Sequence, residues 1–224
     1  MESDAVSGFK RMIEKQTKPI GYAGVLSALR SIPWDLAKEV TPIEPRAFKH
    51  LAFFPGRKGY SGTDFPVHGV MLVGNNYDNL DGWNKEKDEE SASPTWKRLR
   101  AITFPVSKVP CERFWFTNYC HGVMRSKHSR YEFPPRIRTL LEFRRVFEEC
   151  VVATQPKVIV SLGGFARHYL KFERGEAKPQ TIMGHETLVL AAYHPAAGGT
   201  LDKFKEDAAR IGRAYFGDAA WEAM

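Results

Sequence analysis

His194 is followed by Pro195, two alanines and two glycines in AAYHPAAGG, and a helical pattern begins at Thr200. Proline biases the residue before it toward extended backbone. The small residues after it let backbone N–H groups come close to a phosphate, and Ala196, Gly198, Gly199 and a helix capped at Thr200 are the expected donors. A second polar group, Gly74-Asn75-Asn76-Tyr77-Asp78-Asn79, ends the apolar run VMLVG. Gly74 permits a tight turn or the close approach of a substrate to backbone. Asn76 offers a donor and an acceptor that can orient a water or a polar substrate edge. The same stretch also reads as an Asx-rich turn that satisfies its own backbone. Third, Asn118 comes directly off the aromatic run RFWFT. A fixed carboxamide can pair with an amide-like edge such as O4 and N3 of a pyrimidine, although taken alone a strand-capping role is the simpler reading.

A basic segment, HGVMRSKHSRYEFPPRIR, carries Arg125, Lys127 and Arg130 with Tyr131 and Phe133 interleaved. It suits either a phosphate-tracking surface or a solvated loop. The formal net charge of +7 and the pI near 9.3 favour an acidic partner, of which nucleic acid is the usual one. Cys111, Cys120 and Cys150 are an odd set without repeat spacing, which points to a reducing compartment rather than a disulfide framework. Cys111, Cys120, His121 and His128 are of ligand type but match no zinc pattern, so no zinc site is expected. The N-terminal stretch lacks the apolar run of a signal peptide. No segment approaches the roughly 18 apolar residues of a membrane span. A cytoplasmic monomer with no membrane partner is the expectation. No Walker loop, G-x-S-x-G or G-x-G-x-x-G is present, which argues against P-loop, α/β-hydrolase and dinucleotide-binding chemistry.

Four apolar runs must position these groups: HGVMLVG, RFWFTN, KVIVSLG and TLVLAAYHP. Each is short, continuous and bounded by polar or breaker residues, as in strands buried on both faces. Helical patterns separate them. SPTWKRLRAI has proline at the first helical position, and RTLLEFRRVFEECVVA aligns Leu140, Phe143, Phe147 and Val151. GGFARHYLKF follows the third run, and TLDKFKEDAARIGRAYF aligns Leu201, Phe204, Ala208, Ile211 and Tyr215. The alternation predicts an α/β fold with a parallel sheet between helices. Residues 1–60 are expected as an N-terminal helical extension packed on the core, and 61–224 as the α/β domain. Ligands in such sheets bind beyond the carboxyl ends of the strands. That rule gathers Gly74–Asn79, Asn118–His121 and His194–Gly199. Gly163 and Gly164, in SLGG, can touch phosphate, although packing is the simpler role.

Taken in order, these motifs resemble the uracil-DNA glycosylase superfamily over roughly residues 66 to 216. VMLVGNN is similar to its first motif, FWFTNY to the strand whose Asn reads the base, KVIVSLGGFARHYL to its Leu-Gly strand-to-helix turn, and LVLAAYHPAA to its His-Pro motif. The resemblance implies a three-layer α/β/α sandwich with a central four-stranded parallel sheet. It implies a monofunctional DNA glycosylase of base excision and repair, which flips out a pyrimidine and hydrolyses its N-glycosidic bond to leave an abasic site. Asn76 would position the attacking water, Asn118 would bind the base edge, and His194 would stabilise negative charge on the base O2. Single- or double-stranded DNA would be the partner.

The departures bear on substrate. Tyr77 stands where the family has proline, and Asp78 and Asn79 stand where its best-known branch blocks C5 substituents with an aromatic. With Gly74, Asn75 and Tyr77 they would form a base pocket open to uracil or a C5-modified pyrimidine, as in phage DNA, which would suit antiviral defence. Ala196 replaces a serine that contacts phosphate, and Gly198 and Gly199 replace the apolar wedge, for which Leu201 can substitute. Tyr77 and Ala196 also fit a catalytically inactive nucleic-acid-binding protein that retains the fold. A doubly wound protein binding a small phosphorylated ligand at HPAAGG is a further alternative.

Overall fold

The structure, a computed structural model, describes residues 40–41, 66–75, 94–120, 123–124, 137–196 and 199–224. The four apolar runs form strands β2 (Val70–Gly74), β3 (Phe114–Asn118), β5 (Val158–Leu162) and β7 (His185–Ala192). All four run parallel, in the order β3-β2-β5-β7. Every residue of β2, β3 and β5 is buried, so both faces of the sheet are covered. That is why these strands read as unbroken apolar runs rather than as alternating ones.

The sheet is mixed and five-stranded, which departs from the all-parallel four-stranded expectation. β6 (Lys178–Ile182, KPQTI) adds antiparallel to β7 at the edge, Ile182 opposite His185. The two-residue turn between them has positive φ at both Met183 and Gly184, the hairpin geometry that matches strand twist. The strand is polar, mostly exposed and contains Pro179, devices that blunt an edge and also hide it from a hydrophobicity pattern. A separate two-stranded pair joins β1 (Val40–Thr41) to β4 (Val123–Met124). The segment expected as a helical extension therefore contributes a strand, and the rest of it lies outside the described residues.

The helix after β2 starts at Pro94 as expected. It runs as α1 (Pro94–Arg98), a wider π turn (Leu99–Thr103) and α2 (Phe104–Ser107). Pro105 has no N–H for the regular ladder, and the Phe104 N–H reaches back five residues to the Leu99 carbonyl. α3 (Ile137–Thr154) buries Phe143, Phe147 and Val151 as the spacing predicts, and the Leu140 side chain lies outside the described set. α4 (Gly164–Leu170) follows β5 directly. α5 (Leu201–Phe216) buries Phe204, Ala208 and Ile211, and α6 (Asp218–Glu222) closes the chain. Leu201 departs from the expected stripe: it is 53% exposed, because it opens the helix beyond the reach of the core. Thr200 occupies the cap position in extended backbone, but its side chain makes no capping hydrogen bond.

Candidate functional site at the strand ends

The chain passes from β2 to β3 on one side, then crosses by way of α3 to β5 on the other side of β2. The topological switch point therefore lies between β2 and β5, where open α/β sheets form their ligand crevice. Asn118 and Ala192 end β3 and β7, three strand spacings apart, so their backbones are separated by roughly 14 Å. Both polar groups lean inward from those positions. A Cβ placed on Gly74 would lie 2.3 Å from Asn118 Oδ1, so the carboxamide sits over the end of β2. A Cβ on Gly163 would lie 3.1 Å from His194 Cβ, so the imidazole is rooted over the end of β5. The two glycines clear the space that lets Asn118 and His194 flank the switch point.

Asn118 is held by its backbone. It pairs with Gly74 in the ladder, and the pairing continues past both strands: the Tyr119 N–H donates to the Gly74 carbonyl and the Cys120 N–H to the Asn75 carbonyl, each at 2.9 Å. The residue is buried, and no hydrogen bond to its carboxamide is present among the described residues. Below it, Tyr119 lies nearly parallel to Tyr169 of α4, ring centroids 5.5 Å apart. Burial pushes the Tyr119 hydroxyl up to about 12 and the Cys120 thiol well above its ordinary value. Burial likewise lifts Cys150 to about 12. Tyr119 and Cys120 are neutral scaffolding next to Asn118, and both buried thiols are poor nucleophiles. No disulfide joins the three cysteines.

His194 sits in a loop fastened at four points. The Tyr193 N–H donates to Asp207 Oδ2 at 2.7 Å. The Ala196 N–H donates to His194 Nδ1 at 3.1 Å. The Arg98 guanidinium donates to the Pro195 carbonyl while lying 4.7 Å from the Phe204 ring centre. Gly163 supports the imidazole root, with φ +85° and ψ −178°, a region open essentially to glycine alone. An Nδ1 that accepts a backbone N–H carries no proton, so the neutral ring holds its proton on Nε2.

Asp207 is itself buried, paired with Arg210 on the same helix, and Arg210 donates onward to the Gly175 carbonyl at 2.7 Å. Burial outweighs these bonds and holds the Asp207 carboxyl above the usual carboxylate range. Sequence reasoning missed Asp207, Arg210 and Arg98. The signal for Asp207 was available: it falls three residues after Phe204 and four before Ile211, on the buried stripe of α5. A charge on such a stripe requires a partner.

The described residues bring Gly74, Asn75, Asn118, Gly163, Gly164, His194, Ala196 and Gly199 to the same end of the sheet. The Gly163 N–H is spent on the Ala192 carbonyl, the Ala196 N–H serves His194, and a Cβ placed on Gly199 would lie 3.1 Å from the Phe204 ring. Asn76, Tyr77, Asp78, Asn79, Arg125, Lys127, Arg130 and Gly198 lie outside the described residues. Among the described residues no cluster of metal-ligating side chains occurs, and no helix is long and apolar enough to cross a membrane. No protein-family model matches the chain, and no curated protein matches it.

Proposed function

We propose that the chain is a DNA glycosylase that extrudes a pyrimidine nucleotide into the crevice between β2 and β5 and hydrolyses its N-glycosidic bond. The observation that carries this reading is the pairing at the switch point: a buried carboxamide over Gly74 and, across from it, a neutral imidazole rooted on Gly163. Asn118 supplies the donor and acceptor that match O4 and N3 of the base. The His194 Nε2–H faces the charge that gathers on O2 as the bond to C1′ breaks, a hydrogen bond stronger in the transition state than in the ground state. Water adds at C1′ and the base leaves with the bonding electrons. In this reading Asn76 orients that water. Asp78 and Asn79 admit a C5 substituent, which makes hydroxymethylated or glycosylated pyrimidines of phage DNA candidates beside uracil.

The test is a panel of oligonucleotides, single- and double-stranded, carrying uracil or a C5-modified pyrimidine at one position. Abasic sites, scored by alkaline cleavage, are expected at one or more of them. DNA binding with no abasic site on any member would leave a nucleic-acid-binding protein instead.

Gly74→Ala probes the geometry. The new methyl cannot coexist with Asn118 Oδ1 at 2.3 Å, and the carboxamide is the part that can rotate away. Base release is expected to fall by about 10²-fold through misplacement of the base-reading group. The thermal midpoint should drop far less than for a core truncation. Unchanged release in a folded Gly74→Ala variant would remove Asn118 from the site.

A further inference from the structure

Arg174 and Lys203 belong neither to the candidate catalytic pair nor to the network that holds it, yet both converge on the residue next to His194. The Arg174 guanidinium carbon lies 3.9 Å from the Tyr193 ring centre, and the Lys203 ammonium 5.4 Å from it. Phe204 meets the same ring edge-on at 6.4 Å. Both cations are exposed, and among the described residues neither forms an ion pair with a carboxylate.

Each cation is attracted to the ring face, but the two are not favourable neighbours of each other. Two positive groups sharing one ring lie within about 10 Å of each other, about a Debye length at 0.1 M salt, so they repel. Lys203 also stands in the first turn of the sixteen-residue α5, where the helix dipole disfavours a cation. An anion held between them reverses both costs.

The backbone under the cations is fixed. Arg174 bridges to Ala191 of β7, and the Ala191 N–H donates to the Glu173 carbonyl at 2.9 Å. The buried Asp207–Arg210 pair holds Tyr193 with one partner and Gly175 with the other. One ion pair thus sets the position of the aromatic platform and of the segment that carries Arg174.

We propose that Arg174 and Lys203, spread over Tyr193, clamp a phosphodiester of the strand that carries the extruded nucleotide. This rests on the proposed glycosylase function, since Tyr193 immediately precedes the histidine that would face the base. The clamp would hold the flanking backbone while the base turns into the crevice.

The test uses the full chain and fluorescein-labelled oligonucleotides carrying the substrate base, with affinity followed by anisotropy across a salt series. Each phosphate contact contributes roughly 0.7 to 0.9 to the slope of log affinity against log salt. Arg174→Gln combined with Lys203→Gln, which removes the contact to one phosphodiester, is expected to lower that slope by about 0.8. Arg174→Lys with Lys203→Arg should keep the wild-type slope. A methylphosphonate walked along the strand should weaken wild-type binding at one linkage and leave the glutamine variant indifferent there.

A glutamine variant with wild-type slope and affinity overturns the clamp, as does an identical methylphosphonate profile for the two proteins. Displacement of the DNA by a deoxynucleoside monophosphate at equal phosphate concentration also overturns it, in favour of a small ligand. A wild-type protein that binds no DNA removes clamp and glycosylase reading together. Retained base release with an unaltered slope removes the clamp alone.

Discussion

Replacing His194 by alanine is expected to slow single-turnover base release by about 10²- to 10³-fold, the usual effect of deleting one donor to a developing oxyanion. The loss should appear in the chemical step, with DNA affinity and thermal stability unchanged. The reason is local. Tyr193 remains bonded to Asp207 and Pro195 to Arg98, so the loop survives the truncation. Removing the ring also frees the Ala196 N–H, which is exposed and can turn to water. His194→Gln, whose amide N–H can reach toward the place of Nε2, is expected to recover part of the rate. A His194→Ala protein as fast as wild type would mean that the leaving base is stabilised by another group.

The second large effect is on stability. Asp207→Ala strands a buried Arg210 charge and leaves the Tyr193 N–H without its acceptor, a loss of about 3–5 kcal/mol. In a chain of this size that lowers the thermal midpoint by on the order of 10 °C. Base release should fall as well, because the same bond fixes the residue before His194. Asp207→Asn keeps an oxygen for the Tyr193 N–H and should cost less. The pH dependence separates the two variants from wild type. Burial holds the Asp207 pKa above its unfolded value, so the folded chain binds this proton more tightly than the unfolded chain does. Its contribution to stability is therefore greatest below the unfolded value and declines as pH rises through the raised folded pKa. Asp207→Asn, which cannot ionise, should lose that decline. Chemical denaturation of the three proteins across the acid range measures it, and parallel profiles for wild type and Asp207→Asn would contradict the assignment.

The parallel strands were legible because burial on both faces leaves an unbroken apolar signature. β2, β3 and β5 fall within the runs read from sequence, and β7 overlaps its run but begins two residues earlier, at His185. β6 was not, since an edge strand is protected by the polar residues and proline that erase that signature. Leu201 shows the limit of periodicity at a helix terminus: its spacing fits the stripe, but the first turn of α5 projects past the core. The strand-end placement of Asn118 and His194 followed from a general rule about α/β sheets. The sequence does not reveal that each leans over a neighbouring strand end, because that depends on the absent side chains of Gly74 and Gly163. Gly163 in particular reads as a phosphate-binding glycine, whereas its N–H completes the ladder and its bare α-carbon carries the histidine. Arg98 and the Asp207–Arg210 pair are long-range partners of the His-Pro loop, more than ten residues away in sequence, and no local pattern announces such partners.

The most direct measurement is mass spectrometry of the free base released from defined DNA, uracil and C5-modified pyrimidines each at a single site. A free pyrimidine should appear in equal amount to the abasic sites formed, and both should disappear together in Asn118→Ala and His194→Ala proteins that still bind the DNA. Release of no base from any member of the set, or release that persists undiminished in both variants, would contradict a glycosylase site between β2 and β5.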